Sequence, residues 1–98
     1  MGGRKAFVCI DAKLFSFSFD DRRSDSYAIH ESRRNVMSSI WVGRKGNEWI
    51  LSCFADIRDW VPGKEFFYKR FRENNKLLEF CGRSNKAGLF VVIAMFYG

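Results

Sequence analysis

The chain reads as an α+β protein, a β-sheet with one amphipathic helix packed on one of its faces. Two observations carry that reading and a third extends it. Phe15, Phe17 and Phe19 alternate with Ser16 and Ser18, and strict period two marks a strand with one face buried. Beyond Gly46 the period changes. Trp49, Ile50, Cys53, Phe54, Ile57, Trp60 and Val61 recur at three and four residues, which lines one face of a helix. Strand-like segments then resume after Pro62-Gly63 and end in a nearly continuous apolar run, Gly88–Tyr97.

In chain order, a short strand is expected at Ala6–Ile10, then Lys13–Phe19. Asp20-Asp21-Arg22-Arg23-Ser24-Asp25 is too polar to continue a strand and reads as a turn. Residues 26–31 place Tyr27 and Ile29 on one face, and 37–42 bring Ile40, Trp41 and Val42. Gly43-Arg44-Lys45-Gly46 reads as a breaker before a helix at 47–61. Asn47 is its expected N-cap, with a side-chain oxygen to accept from an orphan N–H. Glu48 suits the positive end of the helix dipole. Pro62-Gly63 stops the helix, because Pro has no donor and disfavours helical geometry in the residue before it. Aromatic-rich 65–72 and the short piece 76–81 are strands, and Gly82-Arg83-Ser84-Asn85-Lys86 reads as a turn. The β-branched centre Val91-Val92-Ile93 assigns the last apolar run to a strand rather than a short core helix.

The 98 residues fit a single domain, with 47% apolar side chains and 11 Phe available for a core. No apolar run approaches the roughly 18 residues of a membrane span. Arg4 and Lys5 are followed by no apolar signal region, and position 6 is Ala where myristoylation requires Ser or Thr. Cys9, Cys53 and Cys81 are odd in number and widely spaced, so they read as small buried or half-buried thiols of an intracellular protein, nuclear or cytoplasmic. His30 is the one histidine and has no nucleophile or metal motif around it. The chain therefore reads as a non-enzyme that needs no cofactor and no metal.

Charge is the more useful functional signal. Residues 1–46 carry 9 basic and 5 acidic side chains, 47–63 carry 1 and 3, and 64–98 carry 7 and 3. On these boundaries the excess positive charge sits on strands and turns while the helix is acidic, the footprint of a polyanion partner. Arg22-Arg23, Arg33-Arg34 and Arg44-Lys45 fall in successive turns, Tyr68, Lys69, Arg70 and Arg72 on an aromatic strand, and Arg83 and Lys86 in a later turn. Cations interleaved with aromatic faces suit single-stranded nucleic acid, whose phosphates need neutralising and whose bases stack. Tyr68 with Lys69 and Arg70, and Phe17 with Arg22 and Arg23, are the candidate pairs. Burial habit nevertheless favours core over platform for Phe15, Phe17 and Phe19, and arginine pairs in turns are ordinarily solvated surface. Ser16 and Ser18 would then be the exposed face of that strand. Gly43-Arg44-Lys45-Gly46-Asn47 lies where a loop can touch a phosphate, but it lacks the P-loop spacing.

A shift of 63 residues places Lys13-Leu14 on Lys76-Leu77, Phe17 on Phe80, Tyr27 on Phe90 and Ile29 on Val92. This divides the domain into a strand-rich repeat over 6–63 and the strands of a partial second repeat over 64–98. The second copy reaches Gly98 without a helix, which leaves it either incomplete or completed by another copy of the chain.

Lys13–Phe19, 27–31, 39–42 and the helix at 47–61, about half the chain, resemble the PUR repeat of purine-rich-element-binding proteins. Gly88-Leu89-Phe90-Val91-Val92-Ile93 is similar to the start of a second such repeat. These repeats belong with the Whirly and transcriptional-coactivator single-strand binders. The resemblance implies a curved antiparallel sheet with a helix behind it, single-stranded DNA or RNA on the sheet, intertwined repeats and a homodimer. Two classes of function follow. One is a single-stranded nucleic-acid-binding module with a basic aromatic sheet surface. The other is a protein-interaction or dimerisation domain that binds no nucleic acid.

Overall fold

The computed structural model describes residues 6–10, 13–58, 67–85 and 88–97. It is α+β, and the described residues form seven strands and one helix: β1 (Ala6–Ile10), β2 (Lys13–Phe19), β3 (Tyr27–Arg33), β4 (Val36–Val42), α1 (Arg44–Arg58), β5 (Phe67–Glu73), β6 (Lys76–Asn85) and β7 (Gly88–Tyr97). The strands form two antiparallel sheets, β1-β2-β3-β4 and β5-β6-β7, rather than one. The chain divides into two compact units, residues 1–47 and 48–98.

In the first unit the period-two reading holds. Phe15 and Phe17 are buried, together with Ile29 and Val42. Phe17 lies opposite Ile29, which lies opposite Ile40, so these three share one face. Phe19 and Tyr27, also opposite each other, bring their ring centroids to 4.9 Å. The alternate residues Ser16, Ser18, His30, Ser39 and Trp41 occupy the other face. Phe15 and Phe17 are thus core, and the pairing of Phe17 with Arg22 and Arg23 as a stacking platform is corrected. Ser16 and Ser18 are half-buried rather than open.

The helix begins three residues earlier than its sequence pattern indicates. The Asn47 N–H donates to Gly43 C=O at 3.0 Å, so Asn47 lies inside the first turns and Gly43 precedes the helix. Gly43 tolerates that place because an N-cap needs a non-helical backbone more than a side chain. Gly46 sits within the helix, where glycine costs about 1 kcal/mol against alanine. The first turn contains no acidic residue, so Glu48 does not complement the N-terminal dipole there. Redrawn on Arg44–Arg58, the helix carries Arg44, Lys45 and Arg58 against Glu48 and Asp56. The acidic-helix premise of the charge argument is therefore overturned. Trp60, Val61 and the Pro62-Gly63 stop lie outside the described residues.

Within the second unit α1 packs on β5-β6-β7. Trp49 stacks on Phe71 at 5.6 Å, and Phe54 meets Phe80 edge-on at 5.0 Å. Ile50, Cys53, Leu78, Phe80 and Val91 are fully buried. Ile57 lies so close over Gly82 that a Cβ there would collide with its Cδ1. The absent side chain at position 82 is what lets the last turn of the helix settle on the sheet.

The turn expected at 82–86 is corrected, because β6 runs through it to Asn85, which pairs with Gly88. Two residues separate the strands, the commonest hairpin spacing. The 63-residue shift carries β1, β2 and β3 onto β5, β6 and β7. It also carries the pair Val8 and Phe15 onto Phe71 and Leu78, which are partners too. For the next pair of strands the correspondence slips by one residue: Phe17 faces Ile29, but Phe80 faces Ile93 rather than Val92. Register follows turn length, and a slip of one residue exchanges the two faces of a strand. Val92 is accordingly 51% exposed while its shifted counterpart Ile29 is buried.

Candidate functional site

The face of β5-β6-β7 away from α1 follows from the pleat. Phe67, Lys69 and Phe71 on β5 share the helix side with Leu78, Phe80 and Gly82 on β6. Tyr68, Arg70 and Arg72 must then share the far side with Leu77, Glu79, Cys81 and Arg83. On β7 the partners of those β6 residues are Phe96, Ala94, Val92 and Phe90. The face is ordered in columns: cations along β5, a mixed central strand, and apolar side chains along β7. Successive residues in a column are about 7 Å apart, and neighbouring columns about 4.8 Å. Tyr68, Phe90, Val92 and Phe96 are all exposed there.

Tyr68 is held in place by its neighbour across the ladder. Its hydroxyl donates to Glu79 Oε2 at 2.5 Å, and that bond, helped by burial and the Glu79 charge, raises the phenol above its ordinary range. At neutral pH the ring is therefore an uncharged flat surface beside Arg70. Cys81 lies in the middle of the face, half-buried, and burial raises its thiol as well. It is a small apolar spacer here rather than a thiolate.

The candidate residues divide sharply. Tyr68, Arg70, Arg72 and Arg83 come together on this one face. Lys69 does not: it is on the helix side, its Nζ donating to Asp56 Oδ2 at 2.5 Å, which raises the ammonium pKa. Arg22 in the β2–β3 turn is committed to Asp20, donating through Nε at 2.9 Å and Nη2 at 3.2 Å. These bonds hold the Asp20 carboxyl below its usual range. Arg23 lies 3.8 Å over the Trp41 ring. Arg33 and Arg34, at the tip of the β3–β4 hairpin, line a shallow cavity with Glu31, Val36 and Ser38. Arg34 has φ 55, a left-handed backbone that costs a non-glycine residue about 1–2 kcal/mol. Arg44 and Lys45 are exposed on the first turn of α1 rather than in a loop. Lys86 lies outside the described residues.

Sequence reasoning missed Phe90, Val92 and Phe96. A continuous apolar run reads as a strand buried on both faces, so the exposed face of β7 left no polar alternation to detect. It missed Trp41 and His30 as neighbours for another reason. Each is a single residue whose partner becomes visible only once β3 and β4 are in register.

Among the described residues no helix is long and apolar enough to cross a membrane. No protein-family model, curated protein or solved structure matches the chain.

Proposed function

We propose that the chain is a non-catalytic module that binds single-stranded nucleic acid on the open face of β5-β6-β7. The observation that carries the reading is the columnar order of that face, with Arg70 and Arg72 on β5 and Phe90, Val92 and Phe96 on β7. An extended strand laid along the sheet would set its phosphates over Arg70 and Arg72 and its bases over Phe90 and Phe96, with Tyr68 at the end of the arginine column. Stacking is indifferent to base identity because every base has a π-face. Duplex is a poor fit, since its bases are already stacked on one another. Fluorescence anisotropy with labelled single-stranded DNA, single-stranded RNA and a duplex control, across a salt series, tests it. Binding of a single strand that weakens steeply with salt is the expected result. No binding at low salt overturns the proposal.

A second reading, self-association, is favoured by a different observation. Among the described residues β7 is paired on one edge only, to β6, whereas its counterpart β3 pairs with both β2 and β4. Its ten residues include no charge and no proline, the usual guards of an open edge. A second copy of β7 meets no like charge on pairing there. Under this reading analytical ultracentrifugation gives a dimer, and Ile93→Pro, which removes a backbone donor from the strand, gives a monomer. A monomer at every concentration rules the second reading out and leaves the first untouched.

A further inference from the structure

We infer that the first unit holds a separate nucleobase site on the face of β3 and β4 that carries His30, Ser39 and Trp41. There an unpaired base stacks on the Trp41 indole, its edge meets the Ser39 hydroxyl and its phosphate takes the Arg23 guanidinium. The inference rests on the single-strand reading above and adds a site of different chemistry.

The site is assembled by three sets of contacts. The turn between β2 and β3 is tied internally: Asp20 N–H donates to Ser26 C=O at 2.8 Å, and Arg23 N–H to Asp20 C=O at 3.2 Å. Ser26 Oγ donates to Arg23 C=O at 2.6 Å. Both backbone groups of Arg23 are thus engaged, and the turn delivers its guanidinium onto Trp41, 3.8 Å from the ring centroid. His30 stands edge-on to Trp41, with centroids 6.3 Å apart and planes at 90°. The imidazole is clamped between two hydroxyls, Nε2 with Ser18 Oγ at 2.8 Å and Nδ1 with Ser39 Oγ at 2.6 Å.

These contacts make an aromatic face with a fixed wall and a hydroxyl edge. The flat guanidinium already resting on the indole occupies the space that a base would take. An exposed cation–π contact is weak, so exchanging it for a base, while Arg23 moves to the phosphate, sacrifices little. Each serine hydroxyl has one donor and two acceptor positions, so the exposed Ser39 keeps capacity for a base edge after bonding His30. The open face of β5-β6-β7 has an apolar column where this one has serines and a histidine. The first sheet therefore carries polar groups that can read a base edge, which the apolar column of the second lacks.

Oligonucleotides of about 12 nucleotides, within the span a single-strand module covers, test this as oligo-dA, oligo-dC and oligo-dT against the full chain. Trp41→Ala is expected to weaken binding tenfold or more, the usual scale of one lost stacking contact, while Trp41→Phe retains most of it. Ser39→Ala is expected to flatten the differences among the three oligonucleotides without changing the salt slope. Arg23→Gln, a surface change that leaves the ring in place, is expected to lower affinity and make the slope shallower. Wild-type binding left unchanged by Trp41→Ala and Arg23→Gln overturns this inference and spares the single-strand reading. Failure of the wild-type chain to bind any single strand overturns both. Should Trp41→Ala not fold, Arg23→Gln and photo-cross-linking of a halogenated oligonucleotide decide the matter. Adducts at Trp41 or His30 support the site, and adducts confined to β5–β7 overturn it.

Discussion

At the scale of single residues, the same residue type has opposite fates according to which side of the pleat it occupies. Lys69 and Arg70 are adjacent, yet one is tied to Asp56 on α1 and the other lies beside Tyr68 on the far face. Cys53 and Cys81 differ by element as well, one on α1 and the other on the far face of β6. Cys53 lies in the buried seam between α1 and the sheet, and desolvation, the largest influence on it, pushes its thiol from 9.0 to about 11. Both folded and unfolded chains hold the proton below pH 9, so this thiol leaves stability unchanged there. Between about 9 and about 11 the unfolded chain releases the proton and the folded chain retains it, so stability falls as pH rises. Urea titrations from pH 8 to 11 are expected to show a shallower decline for Cys53→Ala than for the wild-type chain. Equal declines would mean that the thiolate is tolerated in the seam.

At the scale of elements, Gly82 determines how α1 lies on β6. The Cβ of any other residue would meet the buried Ile57, and Phe67 lies at 3.5 Å on another side. Gly82→Val is expected to cost about 1–3 kcal/mol, the usual range for overpacking, measured by chemical denaturation. Ile57→Ala on its own opens a cavity and costs about 2–5 kcal/mol. In the Gly82→Val background it is expected to cost much less, because the new methyl groups fill the space vacated. Full additivity of the two would show that they do not share one site. Period two around Phe15 and Phe17 and period 3.6 around Ile50, Cys53, Phe54 and Ile57 were legible in the sequence because one face of each is buried. The helix start was not legible. Gly43 and Gly46 look alike in sequence, but only Gly43 lies outside the helix. The continuation of β6 through Gly82 was hidden for a related reason, since a glycine that makes room for Ile57 is indistinguishable from one that makes a turn.

At the scale of the whole molecule, charge is what separates binding from mere basicity. The net charge of +6 is a sum over positions with very different freedom to meet a phosphate. Arg22 is occupied by Asp20 and Lys69 by Asp56, whereas Arg70 and Arg72 share one face with the exposed aromatics. Binding driven by total charge would respond alike to the loss of any cation, and binding on this face would not. Each phosphate neutralised on a single strand contributes about −0.7 to the slope of log affinity against log salt, so Arg70 and Arg72 together give a slope of about −1.4. Arg72→Gln is expected to make that slope shallower by about 0.7, and Lys69→Gln is expected to leave it unchanged. The two changes remove the same charge from opposite faces of one sheet, so net charge is held equal between them. Equal effects from both would assign the affinity to diffuse charge and remove the sheet face from the mechanism. An effect of Arg72→Gln alone would fix the phosphate path along β5.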